Sequence, residues 1–290
     1  MDKIFDFYSK YQSLKHLVDD KLRLYRESGQ PLLDGLIKSI YYSLEDGKRF
    51  RAIFTFLLGE LYDIPEKKLL GSACALEMVH TASLIMGDLP YMDDSQLRRG
   101  KPANHVVFGQ DVALCSCITL LSDANQMVLS DTKLSVEQRE KILNIVSQAY
   151  GIKGLTAGEY VDMKLRRKNV DFSVIEFITK QKTAALFIAA AKIVSIVSKA
   201  APEEQKALET FAENVSFAFR IKEDIVETKK DNVIKESEEK ENINFVKLLG
   251  YDKAVEYAKN YGQTAVESLQ LFGDKNKPLI SFVDALLLKI

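Results

Sequence analysis

Apolar residues return every three or four positions through most of this chain, as in Leu33, Leu36, Ile37, Ile40 and Tyr41, then Phe54, Leu57, Leu58, Leu61 and Tyr62. That spacing lines one face of an α-helix, and no window alternates with the two-residue period of a strand. Only 14 glycines and 6 prolines punctuate 290 residues. The breaks fall at Gly29-Gln30-Pro31, Asp46-Gly47, Pro65, Pro90, Gly100-Lys101-Pro102, Gly151, Pro202 and Gly273 to Pro278, where turn-forming residues end helices. The pattern predicts an all-α protein of about ten or eleven helices. Three stretches, 104–130, 172–199 and 203–228, are long enough for helices of about 40 Å at roughly 1.5 Å per residue. Helices of that length pack as a bundle and build sites between facing sides. No repeat of fixed period and no Ser/Gly/Pro linker divides the chain, so residues 1–290 are expected to form a single large helical bundle and one domain.

Composition narrows the function. A hydrophobic content of 47% supplies a sizeable core. The formal net charge of -1 offers no global positive field for a nucleic-acid backbone, so nucleic-acid binding is not expected and any anion site is local. Cys74, Cys115 and Cys117 cannot all pair internally, and Cys115-Ser116-Cys117 is too tight for zinc; they read as reduced thiols. The segment Met1 to Asp6 lacks the pattern of a signal peptide. The longest uninterrupted apolar runs, such as Ala184 to Ala191, fall short of the roughly 18 residues that span a bilayer. The expectation is a cytoplasmic protein with no stable membrane insertion. The charged run 229–242 is expected to be a mobile surface loop.

Three constellations carry chemistry. Asp88, Asp93 and Asp94 flank Leu89-Pro90 after the helical run Leu76 to Met86, and the proline ends that helix so that Asp88 and Asp93 can converge. Clustered carboxylates suit Mg²⁺, which takes hard oxygen ligands; aspartates capping a helix are the plainer reading. Arg98-Arg99-Gly100-Lys101 follows at once, and arginine grips phosphate oxygens bidentately. Glu223-Asp224-Ile225-Val226-Glu227 puts two glutamates one turn apart on a largely apolar helix, either a second metal site or a solvated face. Gly47-Lys48-Arg49-Phe50-Arg51 gathers cations at a helix start, where free N–H groups favour an anion. His80 lies on the helix that leads to Gly87 and, alone, reads as a core histidine.

In this order the segments resemble the trans-polyprenyl diphosphate synthases, the prenyltransferases that make farnesyl or geranylgeranyl diphosphate. The likeness runs from about residue 30 to about 260 and is strongest from Glu77 to Phe108. It implies the isoprenoid synthase type of bundle, Mg²⁺ as cofactor, a homodimer, and head-to-tail condensation of isopentenyl diphosphate with allylic prenyl diphosphates. By the resemblance, Asp88 and Asp93, with Asp94, hold metal; Glu223, Asp224 and Glu227 form the second metal motif; Arg98 binds the allylic diphosphate. Lys48, Arg51, His80 and Arg99 bind isopentenyl diphosphate, and Lys182-Thr183 places a lysine on the departing diphosphate. Lys247-Leu248-Leu249-Gly250 matches a later signature of the family.

The chain also departs from the pattern. Gly87 stands where the first aspartate of the motif is expected, glutamates occupy 223 and 227, and Arg220 and Glu159 replace glutamines. Asp46 and Ala52 replace a glycine and a proline, and no lid signature is recognisable in 229–242. Arg220 is expected to supply positive charge near the diphosphate. Small residues at Ala82 and Ser83, upstream of the motif, leave the product tunnel open and predict a product of geranylgeranyl size or similar, unless Cys115 or Ile118 closes it deeper down. Three readings differ in class: a chain-elongating synthase, a silent partner subunit that binds prenyl diphosphates, and a class I terpene cyclase. Lys48, Arg51, His80 and Arg99 favour the first, since a cyclase has no use for an isopentenyl pocket.

Overall fold

Where the apolar period is long and uncapped the chain runs straight, and where a capping side chain or glycine intervenes it turns. Ser135 and Gln138 form a reciprocal capping box that starts one helix, Asp171 caps the next but one through Val174 N–H, and Asn244 accepts from Val246 and Lys247 N–H to start another. The computed structural model describes residues 2–23, 29–166, 168–231 and 244–287. Among these, fourteen α-helices follow in order: α1 Asp2–Leu22, α2 Asp34–Glu45, α3 Phe50–Glu60, α4 Glu66–Gly87, α5 Asn104–Phe108, α6 Gln110–Leu129, α7 Val136–Tyr150, α8 Leu155–Leu165, α9 Phe172–Ile178, α10 Ala185–Ser198, α11 Pro202–Asp231, α12 Phe245–Leu249, α13 Tyr251–Ser268 and α14 Lys277–Leu287. The number exceeds the sequence expectation because α5, α9 and α12 span only five to seven residues, too short for a 3.6-residue period to declare itself.

Three details differ from the expected elements. The stretch 104–130 is not one helix: Gly109 adopts φ +91° and separates α5 from α6. The stretch 172–199 is a helix throughout, but Thr179–Ala184 between α9 and α10 is a π-helix. The basic segment after α4 is a minimal antiparallel hairpin, β1 Leu97–Arg98 and β2 Lys101–Pro102, with Arg98 opposite Lys101. Arg99 and Gly100 turn it with φ +55° and +79°, the left-handed pair that matches strand twist. Of the charged run 229–242, residues 229–231 complete α11, and 232–242 lie outside the described residues.

Most of α4 is buried, enclosed by α3, α6 and α10. Phe54 of α3 meets Phe187 of α10 edge-on at 5.0 Å and stacks on Phe211 of α11 at 5.6 Å, contacts that add roughly 0.5–1.5 kcal/mol each to area burial. A second apolar cluster, built on Ile175, Phe217, Ile221 and Ile225, joins α9, α11, α12 and α13. Because α11 contributes to both clusters, it fixes the two sides of the space between α4 and α8.

Counting uninterrupted apolar runs underestimated the hydropathy of these helices. Glu66–Gly87, Gln110–Leu129 and Phe172–Ser198 are each long and apolar enough to cross a membrane by length and composition, because isolated polar residues break the run without lowering its mean. Their apolar windows are 72%, 33% and 56% buried within the chain. The least buried, α6, exposes Leu114, Cys115, Ile118 and Leu129 along one stripe.

Candidate active site

The space between α4, α8, the π-helix and α11 is a cavity of about 440 Å³. Its lining brings together the polar side chains of Arg51, His80, Asp93, Arg98, Lys182, Thr183, Arg220 and Glu227 and the apolar ones of Val79, Ala82, Leu121, Leu155 and Ile178. Cations and hydrocarbon share one lining, the mixture expected for a ligand with an anionic head and an apolar tail.

The start of α3 sets the basic wall. Arg49, 2% exposed and at φ +56°, folds back to bond Asp19 at 2.7 Å and the carbonyl of Leu44. Its guanidinium lies over Gly47, where a Cβ would stand 2.1 Å from Nη1, so a side chain at 47 would displace it. This arrangement exposes Lys48 at the surface, away from the cavity lining, and turns Arg51 inward. The Arg51 guanidinium sits 5.4 Å from the Phe187 ring centroid, and its Nε is buried without a hydrogen-bond partner. Burial pulls the Arg51 pKa down to about 10, against the pull of Glu77. Glu77, 2% exposed, accepts the Arg51 and Ala52 N–H groups on Oε1 at 3.0 and 3.1 Å. Burial, with Arg51, Arg99 and Arg98 nearby, holds His80 well below its ordinary range and therefore neutral.

The aspartate-rich loop divides. Asp88 is 2% exposed and both its oxygens are held by Arg98, with Nε at 3.1 and 3.0 Å. It faces a small recess with Tyr42, Arg99 and Lys101 rather than the main cavity. Asp94 sits at φ +48°, exposed, beside the Gln96 amide at 3.2 Å. Asp93 faces the cavity, tied by its N–H to the Gly87 carbonyl at 2.9 Å. A Cβ at Gly87 would meet only Asp93 Oδ2, at 3.9 Å. That is ordinary contact, so glycine here removes a carboxylate without relieving a clash.

On the facing side, Lys182 in the π-helix donates to Asp162 Oδ2 at 2.7 Å and pairs with Glu159 Oε2 at 2.9 Å. Burial disfavours its charge, but the two carboxylates outweigh burial and raise its pKa. Gly158 lets α8 approach the π-helix backbone: a Cβ there would lie 2.7 Å from the Lys182 backbone nitrogen. On α11, Arg220 pairs with Asp224 at 2.9 Å. Asp224 is fully buried, accepts the Phe245 N–H at 2.9 Å, and is pushed up to about 6 by burial. It ties α12 to α11 and does not line the cavity; Glu223 points to Lys222 at 3.6 Å, while Glu227 lines the cavity.

Of the six expected metal-holding residues the structure therefore brings Asp93 and Glu227 to one cavity, and leaves Asp88, Asp94, Glu223 and Asp224 elsewhere. Among the described residues no three His, Cys, Asp or Glu side chains converge on a metal by themselves. Mg²⁺ is commonly held by one or two carboxylates with water and substrate phosphate. Asp93 and Glu227 give the cavity lining two carboxylates, a donor set that fits a metal whose shell a diphosphate would complete.

The family model of polyprenyl synthetases matches residues 34–242. The chain belongs to the polyprenyl synthetase family. Over 95% of its length it is 34% identical to the mitochondrial geranylgeranyl pyrophosphate synthase 6 of Arabidopsis thaliana, covering 87% of that protein. It is 35% identical to the farnesyl diphosphate synthase of Bacillus subtilis (strain 168), over 73% of each chain. The solved structure of a geranyltransferase from Legionella pneumophila superposes with a TM-score of 0.89 at 26% identity, covering 98% of this chain and 97% of that one.

In this polyprenyl synthetase Ala82 and Ser83 both line the cavity, and the Ser83 hydroxyl donates to the His80 carbonyl at 2.8 Å. Cys115 and Ile118 are exposed on α6 and do not line the cavity. Tyr150 lines the cavity instead, its hydroxyl accepting from the Asn125 amide at 3.1 Å. Sequence reasoning missed Glu77, Asp162 and Arg166. The last two had a signal, because Glu159, Asp162 and Arg166 recur at three- and four-residue spacing on α8 and its end.

Proposed function

We propose that the protein elongates prenyl chains, condensing isopentenyl diphosphate with an allylic diphosphate to give geranylgeranyl diphosphate or a similar short-chain product. The observation that carries this reading is one cavity whose lining combines Arg51, Arg98, Lys182 and Arg220 with the apolar Val79, Ala82, Leu121, Leu155 and Ile178. Arg51 and neutral His80 hold isopentenyl diphosphate; Arg51 has an unused buried donor for it. Lys182, held upright by Asp162 and Glu159, with Arg220, stabilises the charge that develops on the departing allylic diphosphate. Mg²⁺, when bound by Asp93 and Glu227 with the diphosphate, supplies further Lewis-acid charge to that leaving group. The apolar lining excludes water from the allylic cation, and the isopentenyl double bond adds to it before a proton is lost.

Several features of the protein belong to the same reading. The chain is one domain, and it is a homodimer whose copies cover the exposed stripe Leu114, Ile118 and Leu129 of α6. It works in the cytoplasm, in keeping with three free cysteines, two of them buried. Turnover of labelled isopentenyl diphosphate with dimethylallyl, geranyl and farnesyl diphosphates tests the activity, with Asp93→Ala expected to abolish it. A second reading, a subunit that binds prenyl diphosphates without turnover, is favoured by Gly87 and by the arginines that hold Asp88 and Asp93. An inactive wild type that Gly87→Asp revives would establish the second reading and reject the first.

A further inference from the structure

Each of the two buried or half-buried carboxylates in the aspartate-rich loop is held by an arginine. For Asp88 the partner, Arg98, comes from the adjoining hairpin. For Asp93 it comes from across the cavity: Arg166, at the end of α8, places Nη2 on Asp93 Oδ1 and donates from Nη1 to the Met92 carbonyl at 3.1 Å. Its Nε is buried with no hydrogen-bond partner, so the guanidinium is committed to these two contacts. The other oxygen of Asp93, Oδ2, looks toward Gly87, where a second carboxylate is missing. One carboxylate with one fixed cation is a neutral pair, so the guanidinium on Oδ1 repels a metal ion drawn to Asp93.

We propose that Arg166 is a built-in competitor of the divalent cation at Asp93, so that this side chain sets how much metal the enzyme needs. The inference rests on the reading of Asp93 as a metal ligand. With Gly87 in place the loop has one cavity-facing carboxylate, too weak alone to strip Mg²⁺ of its water; Arg166 holds that carboxylate in position and neutralises it until diphosphate and metal arrive together. Arg166 is thus a positioning residue that acts through Asp93. Its guanidinium fork suits the role because it spans a carboxylate and a carbonyl at once, which an ammonium does not.

The experiment measures free Mn²⁺ by electron paramagnetic resonance during titration of the full chain with inorganic pyrophosphate present, without reference to turnover. Arg166→Gln is expected to lower the Mn²⁺ concentration for half-saturation by up to about fivefold, the factor that loss of a partly exposed ion pair releases. Arg166→Lys, which keeps the charge and serves if the glutamine variant does not fold, is expected between the two. Asp93→Ala should weaken Mn²⁺ binding and erase the effect of Arg166→Gln. If Arg166→Gln leaves Mn²⁺ affinity unchanged or weaker while Asp93→Ala still weakens it, the proposal is overturned and the metal role of Asp93 stands. If Asp93→Ala changes nothing, both fall.

Discussion

Glu77 offers the sharpest test of how the fold supports the isopentenyl side of the site. Its carboxylate lies inside the protein and takes two backbone N–H groups from the first turn of α3 on a single oxygen, the work of an N-cap done by a residue of another helix. Glu77→Ala removes that acceptor and strands the N–H of fully buried Ala52. Loss of a cap costs about 1 kcal/mol and an unsatisfied buried donor about 1–3 kcal/mol, so the variant should be destabilised by roughly 2–4 kcal/mol. At about 2 °C per kcal/mol for a chain of this size, that is a fall in Tm of roughly 4–8 °C. Glu77→Gln keeps an acceptor oxygen and should lose only about 1 kcal/mol, the smaller cost of exchanging a charged for a neutral hydrogen bond. The two variants should also part company in binding. The glutamine removes the negative charge that faces Arg51, so it should bind isopentenyl diphosphate as tightly as wild type or more tightly; the alanine loosens the turn that aims Arg51 and should raise KM several-fold. Urea unfolding and steady-state kinetics read both effects. An alanine variant within about 0.5 kcal/mol of wild type, the range of a neutral surface change, would show that Glu77 does not hold α3 in place.

Other parts of the molecule lend themselves to similar tests. Gly158→Ala would press a methyl to 2.7 Å from the Lys182 backbone nitrogen; overpacking of this kind costs about 1–3 kcal/mol, and the resulting displacement of the π-helix that carries Lys182 should depress kcat more than KM. Ala82→Phe should fill the tunnel floor and shorten the main product by one or more isoprene units in a chromatographic product analysis; an unchanged product would mean that the chain grows past another wall, such as Tyr150. Burial pushes the thiols of Cys74 and Cys117 up to about 12, so both stay protonated at neutral pH and should resist a thiol reagent that reacts as thiolate titrates in from pH 7 to 9. Cys115, on the outer stripe of α6, should react slowly in the wild type and quickly in Ile118→Asp, together with a halving of mass in light scattering. Fast reaction of Cys115 in the wild type would contradict a homodimer through α6.

Helix type and the outline of the bundle were legible because amphipathic periods and turn residues are local properties. The relatives and the family model agree with the prenyl synthase resemblance that the residues from Glu77 to Phe108 carry. What sequence could not show was which carboxylates face the same space. Asp88 and Asp93 are equivalent in a list of acidic residues, yet the end of α4 turns one into the grip of Arg98 and the other toward the cavity. Asp224 reads as a metal ligand beside Glu223 and Glu227, but helical geometry points it at the α12 backbone. Lys48 reads as a phosphate ligand, and the left-handed Arg49 next to it turns it outward. Each depends on a partner distant in the chain or on a single backbone angle, neither of which a pattern of residue types encodes.

The π-helix between α9 and α10 has a consequence for how this stretch tolerates length changes. A π turn carries one more residue than the α-helix it interrupts, and each residue advances an α-helix by about 100°. That surplus residue works as a phase shift: Ile175 and Ile178 before it and Leu186 and Phe187 after it all meet core, while Lys182 within it swings to the cavity. Removing one residue from Thr179–Ala184 would restore a regular spiral and put the two halves out of phase by about 100°, so that either the lysine or one apolar face would have to turn toward water. This segment is therefore intolerant of deletion even at its polar, partly exposed positions.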